Sequence, residues 1–276
     1  MTWLADSPYG HPRWHRLAAL VFISMALYAS GVIFNDCLDA EKDRRHRPDR
    51  PIPSGAVPLR RAFILGTLLT MAALGVAMFL SLAAVIYSGA LIVAIWAYNV
   101  PLRQSVVGGA VGLGLCRFLN MQLGMSTGMS LPYFSVRNWP ELLLAPALLG
   151  AYAAIVTLVS TYEDRPAGRF GAWALVGSAG AMTVVLLSAF FWVVGTTAGK
   201  LVLAALVVAL AAVFVAPLVR LSFASVRRAV GIAVMLVIVF DAAIVLGVHD
   251  APAWLGLGVL ASVLPAFLLA RRMSPS

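Results

Sequence analysis

The chain has 276 residues, of which 62% are hydrophobic and 11% charged, and it carries a formal net charge of +9. Apolar runs of roughly 20 residues, the length a helix needs to cross a bilayer, recur along it and exclude a soluble domain, while their continuity excludes the alternating short segments of a β-barrel. The Lys and Arg residues sit mostly in short connections between apolar runs, where they act as topology signals, so the positive charge does not mark a nucleic-acid binder. The expected fold class is an all-α integral membrane protein, a single polytopic domain over residues 1–276.

Nine spans are expected, at about 16–36, 60–80, 82–98, 105–124, 141–162, 171–194, 200–219, 227–248 and 252–270, the second and third being nearly continuous. The first run is too long for a signal peptide and lacks a small-residue cleavage site. It passes directly into Asn35-Asp36-Cys37-Leu38-Asp39-Ala40-Glu41-Lys42-Asp43, which holds four of the chain's 11 acidic residues. If the helix continues, Asp36, Asp39 and Asp43 stand at i, i+3 and i+7 and share one face. Carboxylates crowded in this way repel one another unless a cation intervenes, and a hard divalent ion with oxygen ligands does that best.

Arg44, Arg45, Arg47 and Arg50 follow at once. Two readings stand at this point: a topology signal with local ion pairs, or guanidinium clamps for an anionic substrate that a metal bridges to the acids. Phosphate and diphosphate suit the second reading, since Mg2+ joins carboxylates to phosphate oxygens and Arg binds them with two hydrogen bonds.

Further along, the third span ends in Tyr98-Asn99-Val100-Pro101-Leu102-Arg103, and the fourth contains Gly112-Leu113-Gly114-Leu115-Cys116-Arg117-Phe118-Leu119-Asn120. An Arg inside a span costs on the order of 2.5–3.5 kcal/mol unless it faces a polar interior. Arg117 therefore points to an internal cavity, the alternatives being that it snorkels or pairs with a distant acid such as Asp241. The fifth span closes on Ser160-Thr161-Tyr162-Glu163-Asp164-Arg165. Spans one and five run in the same direction, so both acidic ends are expected at one membrane face. Cys37 and Cys116 have no metal-ligand spacing and read as fillers.

Of the 20 basic residues, fifteen fall on the side of the acidic clusters, four (Arg13, Arg16, Arg137, Lys200) on the other, and Arg117 inside a span. The positive-inside rule then places the acidic mouths in the cytoplasm, with the N-terminus left outside despite Arg13 and Arg16.

The pattern Asn35-Asp36-x-x-Asp39-x-x-x-Asp43, followed by Arg47-Pro48-Asp49-Arg50-Pro51-Ile52-Pro53-Ser54-Gly55, resembles the first signature of the UbiA superfamily of intramembrane prenyltransferases. The Tyr98–Arg103 and Gly112–Asn120 stretches are similar to further motifs of that family, and the resemblance extends over about 17–248. It implies a bundle of about nine transmembrane helices around a central apolar cavity. It also implies Mg2+-dependent transfer of a prenyl group from an allylic prenyl diphosphate to an acceptor that the sequence does not name, with membrane lipid around the enzyme and no nucleic-acid partner.

By the same resemblance, Asp36, Asp39, Asp43, Glu163 and Asp164 are the catalytic metal ligands. Asn35, Arg47, Arg50, Tyr98, Arg103, Arg117, Asn120 and Tyr162 are the substrate contacts, at a cytoplasmic mouth in a cell membrane. Two departures stand out. The helix that usually precedes the Asn-Asp motif is missing, through an internal start codon or with compensation by the last helices, and the second acidic motif is thinned to Glu163 and Asp164 behind Ser160 and Thr161, as in a divergent branch. The alternative expectation is a catalytically weakened prenyl-lipid-binding protein or a transporter-like one. A CDP-alcohol phosphotransferase would need an Asp-Gly-x-x-Ala-Arg start that is absent.

Overall fold

A computed structural model describes residues 14–126, 139–161, 169–220, 223–248 and 253–273, and all regular structure among them is helical. The chain forms two compact units, Met1–Trp139 and Pro140–Ser276.

In the first unit, α1 (Trp14–His46) is 33 residues long, enough to cross a bilayer and continue through the acidic cluster. It packs on α2 (Leu59–Leu80) and also touches α3 (Leu82–Asn99) and α4 (Val106–Met125). Ile23 and Leu27 of α1 meet Ala73 and Ala77 of α2, with Ala84 and Leu91 of α3 joining the same core. Small residues on α2 let the backbones approach closely, which suits association in lipid, where packing replaces the hydrophobic drive. Gly66 shows this directly: a Cβ there would lie 2.9 Å from the Phe34 ring. Phe34 also sits 4.9 Å from the Trp96 ring and 5.4 Å from that of Phe63, which fixes α1 against α2 and α3 one residue before Asn35.

Each break between these helices has a local cause. Ser81 is extended, at φ −171° and ψ 159°, and its side chain accepts a hydrogen bond from the Ala84 backbone N–H at 3.1 Å. That N-cap divides α2 from α3, where the sequence reads as nearly continuous. Pro101 has no N–H to extend α3, so the chain passes through one turn of 3-10 helix (Leu102–Gln104) before Ser105 caps α4 by accepting from Gly108 N at 3.0 Å.

The second unit holds α5 (Trp139–Ser160), α6 (Arg169–Trp192), α7 (Thr197–Arg220), α8 (Phe223–Leu246), α9 (Ala253–Ala261) and α10 (Val263–Met273). Tyr152 of α5 stacks on Phe240 of α8 at 5.5 Å and donates its hydroxyl to the Ala233 carbonyl at 2.8 Å. A Cβ on Gly199 of α7 would lie 2.7 Å from Gly247 Cα, so this crossing also depends on the smallest residue.

Seven helices among the described residues are long and apolar enough to cross a membrane, against the nine spans expected. α6 is itself 24 residues long and overlaps the expected span at 171–194, while Ala253–Leu268 is a shorter apolar stretch. The expected span at 252–270 is interrupted at Ser262, because Pro265 cannot donate to the Ala261 carbonyl and a continuous helix would lose that bond. Large side chains such as Phe79, 94% exposed, cover the outer surface, as they do where a helix meets lipid.

Candidate functional site

The acidic cluster occupies the last turns of α1, which continue past the apolar part as expected. The helix ends in Arg44, Arg45 and His46, basic residues that complement the negative end of the helix dipole. Glu41 points away from the other acids and makes exposed pairs with Arg44 at 3.2 Å and Arg45 at 3.9 Å.

The other three carboxylates meet two guanidinium groups from outside the helix. The loop after α1 folds back through hydrogen bonds from Arg50 N to the Arg47 carbonyl, Ser54 N to Arg50 and Val57 N to Pro51. Gly55 closes it at φ +81°, a left-handed conformation that glycine adopts without strain. With Pro48, Pro51 and Pro53 restricting φ, this tail turns Arg50 toward the helix. Its Nη1 donates to Asp43 Oδ2 at 2.6 Å and lies 3.5 Å from Asp36 Oδ1. One cationic nitrogen is therefore held between carboxylates at i and i+7.

Arg103, on the 3-10 turn before α4, takes the third. Its Nη1 donates to Asp39 Oδ2 at 2.7 Å and to Asn35 Oδ1, and its Nη2 donates to Asp39 Oδ1. This two-pronged pair connects α1 to the α3–α4 connection across 64 residues of sequence. Gly108 makes the turn possible, since a Cβ there would lie 2.3 Å from the Leu102 carbonyl oxygen.

Behind this polar end, α1, α3 and α4 line a half-open cavity of about 430 Å3. Asn35, Tyr98, Asn99 and Arg117 contribute its polar groups, and Leu91, Ile95 and Leu113 contribute to an apolar wall. Arg117 is half-buried and makes no ion pair among the described residues. Asn120 also lines the cavity and accepts a hydrogen bond from Ser24 at 2.7 Å.

In the first unit, Asn35, Asp36, Asp39, Asp43, Arg50 and Arg103 gather at the polar end, Tyr98, Arg117 and Asn120 line the cavity behind it, and Arg47 is exposed with no ion-pair partner among the described residues. Arg103, expected to face an anion, is paired with Asp39 in this structure. Tyr162, Glu163 and Asp164 lie outside the described residues. Sequence reading missed two members. Asn99 is buried, donates to the Gly31 carbonyl at 3.3 Å and leaves its Oδ1 without a partner. Ser24 lies in an apolar stretch of α1, with nothing in its spacing to set it apart.

The donor set is chemically suited to a hard cation. Asn35, Asp36, Asp39 and Asp43 offer oxygens, and Arg50 already places a positive charge between two of the carboxylates. Among the described residues no three metal-ligating groups form a cage by themselves. A cation that takes one or two carboxylates and completes its shell with phosphate oxygens and water matches such an open arrangement.

A family model for the UbiA prenyltransferase family matches residues 2–228. The chain belongs to the UbiA prenyltransferase family. It is 30% identical over 120 residues to a protein of Polaromonas sp. named 4-hydroxybenzoate octaprenyltransferase, a match covering 41% of each chain. It is also 30% identical over 96 residues to one of Sulfurisphaera tokodaii named digeranylgeranylglyceryl phosphate synthase, covering 34% of each. These matches therefore span less than half of the relatives' length. A solved structure from work on digeranylgeranylglyceryl phosphate synthase in membranes superimposes with a TM-score of 0.61 at 16% identity, over 86% of this chain and 87% of that one. At that identity, the likeness is one of fold, and the helical membrane architecture is the UbiA one.

Proposed function

We propose that this UbiA family member transfers a prenyl group from an allylic prenyl diphosphate to an acceptor within the membrane, with Mg2+ as cofactor. The observation that carries the reading is the Arg50 nitrogen held by Asp36 and Asp43 beside the Arg103–Asp39 pair, at the mouth of an apolar cavity. A charged head and a hydrocarbon tail need these two environments side by side. The names of the partial relatives, both referring to prenyl chemistry or its products, support it.

Asn35, Asp36, Asp39 and Asp43 would hold the metal together with diphosphate oxygens, with Glu163 and Asp164 as the second carboxylate pair. When bound, Mg2+ supplies charge neutralisation on the departing diphosphate. Arg47, Arg50, Arg103 and Arg117 contribute guanidinium donors to the same anion, and Tyr98, Asn120 and Tyr162 orient the donor. As the allylic C–O bond breaks, the electron pair leaves with the diphosphate, whose charge these arginines stabilise in a site sheltered from water. Leu91, Ile95 and Leu113 keep water from the allylic cation until the acceptor forms the new bond and releases its proton. The bias of basic residues supports a cytoplasmic mouth in a cell membrane.

The test is incubation of purified protein with labelled prenyl diphosphates and membrane extract as acceptor source, with Mg2+ or with chelator. The reading expects Mg2+-dependent release of diphosphate and a labelled prenylated product. Binding of the donor without release would instead identify a prenyl-lipid-binding protein.

A further inference from the structure

The hydrogen bond from Ser24 on α1 to Asn120 on α4 joins residues 96 apart in sequence and crosses a wall that is otherwise apolar. It also stands where two cavities meet. The first, of about 430 Å3, begins at Asn35 beside the acids and ends at Ser24 and Asn120. The second, of about 260 Å3, shares Ser24, Met25 and Asn120 with the first and continues past Leu20 and Leu123 to Arg16. Both run along α1, so distance along them can be read from the helix rise.

We propose that the Ser24–Asn120 pair is a depth stop that sets the length of hydrocarbon tail this protein prefers. The proposal rests on the prenyl diphosphate reading above. Eleven residues of α1 separate Asn35 from Ser24, a rise of about 16 Å. An isoprene unit adds four C–C bonds of about 1.5 Å, roughly 5 Å when extended, so the first cavity accommodates about three units. The further rise from Ser24 to Arg16 is about 12 Å, room for about two more. A longer tail reaches that space by parting the hydroxyl from the amide, and both groups then face hydrocarbon without a partner. Hydrogen bonds between membrane helices are weak enough for this to act as a filter and not as a block, worth roughly three- to tenfold in selectivity. The alternative is an exit sideways into lipid between Met25 and Tyr28, both well exposed on the cavity edge, and such an exit would make the pair irrelevant.

The experiment compares farnesyl, geranylgeranyl, hexaprenyl and octaprenyl diphosphates as donors with Mg2+, by competition binding and by kcat/KM, for wild type, Ser24→Ala and Ser24→Leu. The readout is the ratio of long to short donor on one preparation, which cancels any loss of folded protein. Wild type is expected to favour the shorter donors. Ser24→Ala is expected to raise the geranylgeranyl-to-farnesyl ratio by roughly three- to tenfold, since a four-unit tail passes the pair and still fits the two cavities together, and Ser24→Leu to lower it. A wild-type preference for geranylgeranyl or longer donors over farnesyl diphosphate, or a geranylgeranyl-to-farnesyl ratio that neither variant moves, overturns the depth stop while leaving the transferase reading intact. Failure of wild type to bind any of the four overturns both.

Discussion

Arg103 holds Asp39 with both of its terminal nitrogens and reaches Asn35 with one of them, so a single side chain from the α3–α4 connection neutralises the middle acid of the α1 cluster. The pair is neither fully buried nor free in solvent, with side-chain exposures of 27% and 19%. Arg103→Ala leaves Asp39 half-buried without its counter-charge, and a loss of about 1–2 kcal/mol is expected, between the values for surface and buried pairs. A double-mutant cycle with Asp39→Ala, read by thermal unfolding in detergent, isolates the coupling. Arg103→Lys is expected to recover little of it, because an ammonium group cannot reproduce the two parallel bonds.

Gly108→Ala is expected to damage the site more than Gly109→Ala, although the two are adjacent on α4. At Gly108 the added Cβ would lie 2.3 Å from the Leu102 carbonyl oxygen and 2.6 Å from Ser105 Oγ, whereas at Gly109 the nearest atom is 3.6 Å away. The first change therefore strains the turn carrying Arg103 and weakens the Ser105 cap, itself worth about 1 kcal/mol. Donor affinity and melting temperature should both fall for Gly108→Ala and stay near wild type for Gly109→Ala.

Most of the helices were legible in the sequence because a long apolar run in lipid has one way to satisfy its backbone. The helical run of Asp36, Asp39 and Asp43 was legible for a similar reason: their spacing makes sense on a continuing helix. Which cation each carboxylate meets was not. That depends on the direction in which the Pro48–Gly55 tail turns and on the 3-10 turn after Pro101, and both are set by three-dimensional hydrogen bonding rather than by period. The same holds for Ser24, whose partner is on another helix. The division at Ser81 was placed where the structure has it, between the spans expected at 60–80 and 82–98, but its cause, a serine side chain that caps α3, does not show in hydropathy. Pro265 is visible in the sequence, but hydropathy ranks the run and does not register the lost N–H.

Gly55→Ala tests whether the loop geometry acts through Arg50. No atom lies within 4 Å of the added Cβ, so the effect is purely that of φ +81°, about 1 kcal/mol for an L residue. Gly55→Asn should be milder, because asparagine tolerates that conformation. If Arg50 matters for donor binding, affinity will rank wild type above Gly55→Asn above Gly55→Ala, with Arg50→Ala lowest.

Glu41 serves as the internal control among the acids. Its pairs with Arg44 and Arg45 are fully on the surface, with Glu41 69% exposed, and such pairs contribute little. Glu41→Gln should leave donor turnover unchanged and shift unfolding stability by less than about 0.5 kcal/mol.

The central claim is that the α1 carboxylates hold a cation and a diphosphate for catalysis, and release of diphosphate from a labelled prenyl donor tests it most directly. Asp36→Asn, Asp39→Asn and Asp43→Asn keep the shape of each side chain and remove its charge. Each is expected to lower Mg2+-dependent release by roughly 100-fold or more, the scale on which loss of an electrostatic contact to the reacting group is felt. Asp164→Ala is expected to lower it less, in keeping with the thinner second motif. Release by the three α1 variants at the wild-type rate, or wild-type release that persists in chelator, would contradict the account.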